Sequence, residues 1–145
     1  MTIRQATTAD LARIATLFGQ LGYPNDAGQL ARRLAAAPAG DMLQVLVAQE
    51  GDAVAGVAVV HVMAPLHVPD RWALLSALVV DDAHRSGGIG AALLEAAEAF
   101  ALEHGCAQLE LSSNVARTRA HRFYERQGYR EKPVRFVKML VSYHR

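Results

Sequence analysis

The stretch Ala77-Leu-Val-Val-Asp-Asp-Ala-His-Arg-Ser-Gly-Gly-Ile-Gly-Ala-Ala-Leu-Leu94 decides how the chain is read. Leu78, Val79 and Val80 form an apolar run with no alternation, as in a strand covered on both faces. From Ile89 the spacing becomes helical, with Ile89, Leu93, Ala97, Phe100 and Ala101 on one stripe and Glu95, Glu98 and Glu103 outside it. Between the two patterns lie Arg85, Ser86, Gly87, Gly88 and Gly90, where the first amides of a helix have no internal partners. Glycines admit a bulky anion to that backbone, and the helix dipole favours negative charge there. Arg85 adds a fork of donors suited to phosphate oxygens. The stretch reads as strand, phosphate or pyrophosphate cradle, and helix; a bare strand-to-helix turn is the alternative. Two other phosphate loops fit worse. A P-loop needs Lys-Ser or Lys-Thr where Ala91-Ala92 stand, and the dinucleotide fingerprint needs a small residue where Leu93 stands.

Composition bounds the rest. A chain of 145 residues, 52% hydrophobic and 20% charged, is expected to form one globular domain over residues 1–145. A formal net charge of +1 gives no electrostatic case for nucleic acid or an acidic membrane surface. Cys106 is the only cysteine, which excludes an internal disulfide and a thiolate metal cage and suits a reducing compartment. No stretch approaches the ~20 apolar residues of a membrane span, and the opening Met1-Thr-Ile-Arg-Gln lacks the apolar core of a signal peptide. The expected location is cytoplasmic.

Outward from the central stretch the elements follow in order. Ile3 to Ala6 is a short strand, and Thr7 with Asp10 forms a capping box for a helix carrying Leu11, Ile14, Leu17, Phe18 and Leu21. Gly22 ends it. Asn25 is expected to cap a second helix with Ala27, Leu30, Ala31 and Leu34 inward, stopped by Pro38-Ala-Gly40. Met42 to Ala48 and Val54 to Val62 are strands joined through Glu50-Gly51-Asp52. A loop with His67 precedes the strand Trp72 to Val80. The long helix runs to His104, with Gly105 beyond it and Cys106 in the following turn. Gln108 to Leu111 is a strand, and a helix from Ala116 to Gln127 ends at Gly128. Tyr129 to Glu131 and Arg135 to Val141 are expected as late strands. The sum is an α/β fold with a mixed sheet of about six or seven strands, about four helices and a parallel β-α-β core. Ligands of such sheets bind beyond the carboxyl ends of the parallel strands, which groups Val79, Val80, the glycine loop and Asn114 around one cleft.

A second constellation is Ala120-His-Arg-Phe-Tyr124-Glu-Arg-Gln-Gly128-Tyr129. Ala116, Ala120 and Phe123 share a face, with Tyr124 at its boundary and its hydroxyl free to reach a cleft; a core-edge tyrosine is the plain alternative. Together, Arg85-Ser-Gly-Gly-Ile-Gly90 and Ala120 to Tyr129 resemble the two signatures of the GNAT superfamily of acyl-CoA-dependent N-acyltransferases. The opening Ile3 to Asp10 and the closing Phe136-Val-Lys-Met-Leu140 are also similar to family members. Glu110-Leu-Ser-Ser-Asn-Val115, Ala120 to Tyr124 and the placing of His61 and His67 resemble, more closely, the aminoalkylphosphonate N-acetyltransferases within it.

The resemblance implies acetyl-CoA as co-substrate and a small-molecule primary amine as acceptor. Its diphosphate would rest on Arg85, Ser86, Gly87, Gly88, Ile89 and Gly90. Leu78, Val79 and Val80 would bond the pantetheine arm, with Asn114 as a further cofactor contact. Tyr124 would lie beside the cofactor and protonate the departing thiolate. Many family members use a glutamate on the central strand as base, but Ala73-Leu-Leu-Ser-Ala-Leu78 carries no carboxylate. Ser76 holding a water, His61, or His67 are the candidates, because imidazole titrates near neutrality. His61 and His67, with only Asp70 nearby, make a poor metal set, and none is expected. A protein or peptide amine is the second acceptor class, and a non-catalytic acyl-CoA-binding module the rival reading. Family members are often dimers, to which Phe136 could contribute.

Overall fold

In the computed structural model, residues 1–37, 42–84, 87–112, 118–132 and 135–141 are described. The chain divides into two units, Met1–Ser112 and Ser113–Arg145. In the first, β1 (Thr2–Gln5), α1 (Leu11–Gln20), α2 (Ala27–Ala36), β2 (Leu43–Glu50), β3 (Ala53–Met63), β4 (Arg71–Val80), α3 (Ile89–Glu103) and β5 (Cys106–Leu111) follow one another. The second holds α4 (Thr118–Arg126).

The strands form one sheet in the order β1-β2-β3-β4-β5. Every pairing is antiparallel except β4 with β5, which α3 joins as a parallel crossover. The mixed sheet and its β-α-β core match expectation. The strand number does not: the sheet has five strands among the described residues. Tyr129 to Glu131 and the described residues Arg135 to Val141 are not strand. Apolar and β-branched residues mark a segment that fits a pleated, half-buried surface, but pairing needs a partner edge that local composition cannot supply.

Alternation along β3 sends its side chains to two layers. Val57 joins Val47, Val54 and Val79 under Leu11, Ile14 and Leu17 of α1 and Leu30 of α2. Gly56 faces the other way. A Cβ there would stand 2.9 Å from Leu93, 3.1 Å from Ile89 and 3.1 Å from the Val79 carbonyl. Its absence lets α3 settle directly on the sheet, where Ile89, Leu93, Leu94, Ala97 and Ala101 are buried. Four of the five expected α3 stripe residues are thus buried, Phe100 being half-buried and Leu94 buried in addition; the α2 stripe was not legible. Only Leu30 of its expected inward set is buried, and Leu34 is exposed. Its cap is Asp26, which accepts from the Gln29 amide at 2.8 Å while Gln29 accepts from the Asp26 amide at 3.0 Å. Asn25 instead donates to the Tyr23 carbonyl and accepts from Arg33. Cys106 is the first residue of β5 rather than part of a turn, and burial pushes its thiol up.

The box at the start of α1 is present: the Thr7 amide donates to Asp10 at 2.7 Å. Arg4 of β1 adds a two-pronged pair to the same carboxylate, at 2.8 and 2.9 Å, and reaches Gln49 of β2 at 2.8 Å. The Arg4 hydrogen bonds hold the Asp10 carboxyl down at about 2, against 3.8 ordinarily.

Two predictions follow from this packing. Gly56→Ala should lower stability by about 1–3 kcal/mol in urea titrations, since β3 and α3 must separate to admit the methyl. Asp10→Asn should be less stable than the parent from pH 5 to 8. A lowered folded-state pKa contributes stability fully above 3.8 and loses it as pH falls through about 2, so the gap should close over that interval.

Candidate active site

The centre of the first unit is the second half of β4. Opposite β3, Val60 pairs with Leu75 and Val59 with Ala77, which leaves Ser76 as an extra residue. Such a bulge bends a strand and re-aims a side chain. On the other edge, β5 accompanies β4 only as far as the pair Leu75 and Leu111. From Ser76 to Val80, therefore, β4 has β3 on one edge and no strand on the other among the described residues. Backbone amides and carbonyls along that edge are available to a ligand with amides of its own.

The strand then delivers the chain to the start of α3. Asp81 continues the ladder by donating its amide to Ala55 at 2.8 Å, and Asp82–His84 forms one turn of 3-10 helix. Gly87 donates to the His84 carbonyl at 3.3 Å, and Gly88 takes the N-cap of α3. At φ 74°, ψ 12° Gly88 is left-handed, a conformation that glycine adopts without strain, and it brings no side chain to cap the helix. The first amides of α3, from Ile89 and Gly90 onward, are thus presented with the positive end of the dipole. An open strand edge running into an uncapped helix start suits an extended amide chain ending in a diphosphate. Of the sequence-derived set, Leu78, Val79, Val80, Gly87, Gly88, Ile89 and Gly90 share this segment. Arg85, Ser86 and Asn114 lie outside the described residues.

Ser76 does not stand alone. Its Oγ lies 2.7 Å from His61 Nε2 across the sheet, so two of the candidate catalytic residues are hydrogen-bonded. The half-buried imidazole is pushed below its ordinary 6.5 by burial, which leaves it neutral around pH 7. A neutral ring nitrogen beside a hydroxyl can accept a proton directly or through it. His67 makes an edge contact with Trp72 at 5.7 Å, a setting that gives it no comparable partner in base chemistry. In the second unit, Tyr124 lies on α4 with its ring against Phe123 at 5.3 Å and Tyr129 at 6.1 Å. The Tyr129 amide donates to the Tyr124 carbonyl at 3.0 Å, closing the helix around Gly128 at φ 92°. No cluster of metal-ligating side chains is found among the described residues.

Sequence reasoning missed one group. The Asp81 carboxylate accepts from Gln20 at 3.0 Å and Arg13 at 3.0 Å on α1, and from His84 at 3.0 Å on the turn before the glycines. No spacing rule links residues 13, 20 and 81; only the fold brings them together. The acidic pair Asp81-Asp82 directly after a buried strand was the available hint.

Comparison with known proteins agrees with this architecture. Residues 10–129 match the acetyltransferase (GNAT) family. The chain is 34% identical over 140 residues to an aminoalkylphosphonate N-acetyltransferase of Salmonella typhimurium, covering 95% of this chain and 90% of that protein. A solved transcriptional regulator from Bacillus halodurans superposes with a TM-score of 0.84 at 25% identity, over 97% of this chain and 99% of the other. For the glucosamine-6-phosphate N-acetyltransferase of Arabidopsis thaliana the TM-score is 0.83 at 22% identity, over 97% and 98%, a likeness of fold. No helix among the described residues is long and apolar enough to cross a membrane. The chain belongs to the GNAT family and is an acetyl-CoA-dependent N-acetyltransferase.

Proposed function

We propose that this enzyme moves acetyl from acetyl-CoA to the primary amine of a small anionic molecule, with an aminoalkylphosphonate as the first candidate. The observation that carries the reading is the edge of β4 that has no neighbouring strand among the described residues and runs into an α3 start whose N-cap is a glycine. The acceptor class is supported by the Salmonella relative.

In this reading the backbone of Leu78, Val79 and Val80 bonds the pantetheine amides. The amides from Gly87 to Gly90, with Arg85 and Ser86, hold the diphosphate, and Asn114 steadies the cofactor. A β4 amide aimed at the thioester oxygen stabilises the charge that develops there. The acceptor nitrogen adds to the thioester carbon, the C–S bond breaks, and Tyr124 supplies a proton to the leaving thiolate. A phenol of pKa ~10 is a competent donor to a thiolate whose acid has a pKa near ~8.5. On the acceptor side, His61 takes the proton that the amine sheds, with Ser76 orienting the imidazole or relaying through its hydroxyl. This supplies the base that β4 lacks, since none of its residues is a carboxylate. Attack is direct, so Cys106, buried with a raised thiol pKa, has no covalent role.

Thiol release from acetyl-CoA with a panel of aminoalkylphosphonates, amino acids and peptides tests the reading. Turnover should be highest with the phosphonates. Tyr124→Phe should lower kcat roughly 100-fold at little cost in KM for acetyl-CoA. His61→Ala should lower kcat by about 10–100-fold and abolish the acid limb of the kcat profile. That limb should lie below pH 6.5, with activity rising as the imidazole loses its proton. Coenzyme binding without turnover, unchanged in Tyr124→Phe, would show a binding module instead.

A further inference from the structure

Three contacts converge on Asp81. From α1, Arg13 reaches its Oδ2 at 3.0 Å and Gln20 its Oδ1 at 3.0 Å. From the turn that follows, His84 approaches the same Oδ2 at 3.0 Å, and because a carboxylate can only accept, the ring Nδ1 is the donor. The side chain is 14% exposed, yet its carboxyl is held down at about 2 by these donors, so it is ionised at any working pH.

Each donor is itself tied down. Arg13 Nε donates to the Val54 carbonyl at 2.9 Å, and Gln20 Oε1 accepts from the Asp82 amide at 3.2 Å. Asp81 fixes the turn from both ends, since its own carbonyl accepts from the His84 amide at 2.8 Å while its carboxylate takes the His84 ring. The His84 carbonyl in turn accepts from Gly87. An unbroken series of hydrogen bonds therefore runs from α1 through Asp81 and His84 to the first glycine before α3.

Resting on the reading that Gly87 to Gly90 receive the diphosphate of acetyl-CoA, we propose that Asp81 is a positioning residue for that cradle. It braces the turn against α1 and sets where the Gly87–Gly90 amides point, without itself touching the cofactor. The Gly87–Gly90 part of the cradle offers backbone amides with no side chain to adjust their aim, so its precision comes from what holds the preceding turn. A misplacement of about 1 Å can cost on the order of 100-fold where function depends on exact positioning.

The test compares Asp81→Ala with the parent on two acetyl donors, acetyl-CoA and S-acetylpantetheine, the second lacking the diphosphate. Asp81→Ala should raise KM for acetyl-CoA roughly 10–100-fold with kcat kept within about twofold, and leave kcat/KM for S-acetylpantetheine unchanged. Gln20→Ala, which removes one of the three donors, should show a smaller rise. A purely structural role would lower the folded fraction, and with it the apparent kcat on both donors, while KM stayed put; that result overturns the proposal. Equal loss of kcat/KM on both donors would overturn it too. If the parent enzyme itself does not favour acetyl-CoA over S-acetylpantetheine, the diphosphate reading fails first, a failure distinguishable from unchanged KM in Asp81→Ala.

Discussion

The structure depends on how closely α3 lies against β3. At Gly56 the two meet with no side chain between them, Leu93 and Ile89 occupying the space one would take. Because the helix is held there by buried aliphatic contacts, its first turn cannot drift relative to the carboxyl end of β4. The seat of the helix is then a property of the core, while the approach of Gly87 and Gly88 to it is left to the turn that Asp81 braces. A glycine at the N-cap adds no competing acceptor, so the positive end of the helix stays available.

The second determinant is the separation of β4 from its parallel neighbour. Pairing with β5 stops at Leu75, and the bulge at Ser76 lies at that same point. One local irregularity thus has two effects. It turns a hydroxyl toward His61, and it coincides with the start of the unaccompanied edge. The hydroxyl that meets His61 of β3 and the edge that begins beyond it therefore lie on consecutive residues of β4.

Much of this was legible in the sequence because it is local. The α3 stripe, the Thr7–Asp10 box and the glycines closing α1, α3 and α4 follow from spacing and residue type, and each is where it was expected. The apolar run at Leu78 to Val80 marked β4 correctly for the same reason. What could not be read was pairing. The segment Arg135 to Val141 has the composition of a strand, yet composition does not say whether an edge awaits it. In α2 the cap moved by one residue because Asp26 can reach Gln29 in a reciprocal box, which Asn25 cannot. The His61–Ser76 pair was named residue by residue but its contact was not, since it depends on register and on the bulge. The Asp81 contacts were invisible altogether, being assembled from α1, β4 and the turn that follows.

The extra residue in β4 also carries a geometric consequence for how this chain can vary. Side chains alternate faces along a strand, so removing one residue at position 76 would exchange the sides on which Ala77, Leu78, Val79 and Val80 project. Val79, now packed beneath the first helix, would turn toward the third, and its neighbours would swap in step. The odd length of this half-strand is consequently locked to the layering of the molecule: point substitution is open to it, but shortening is not.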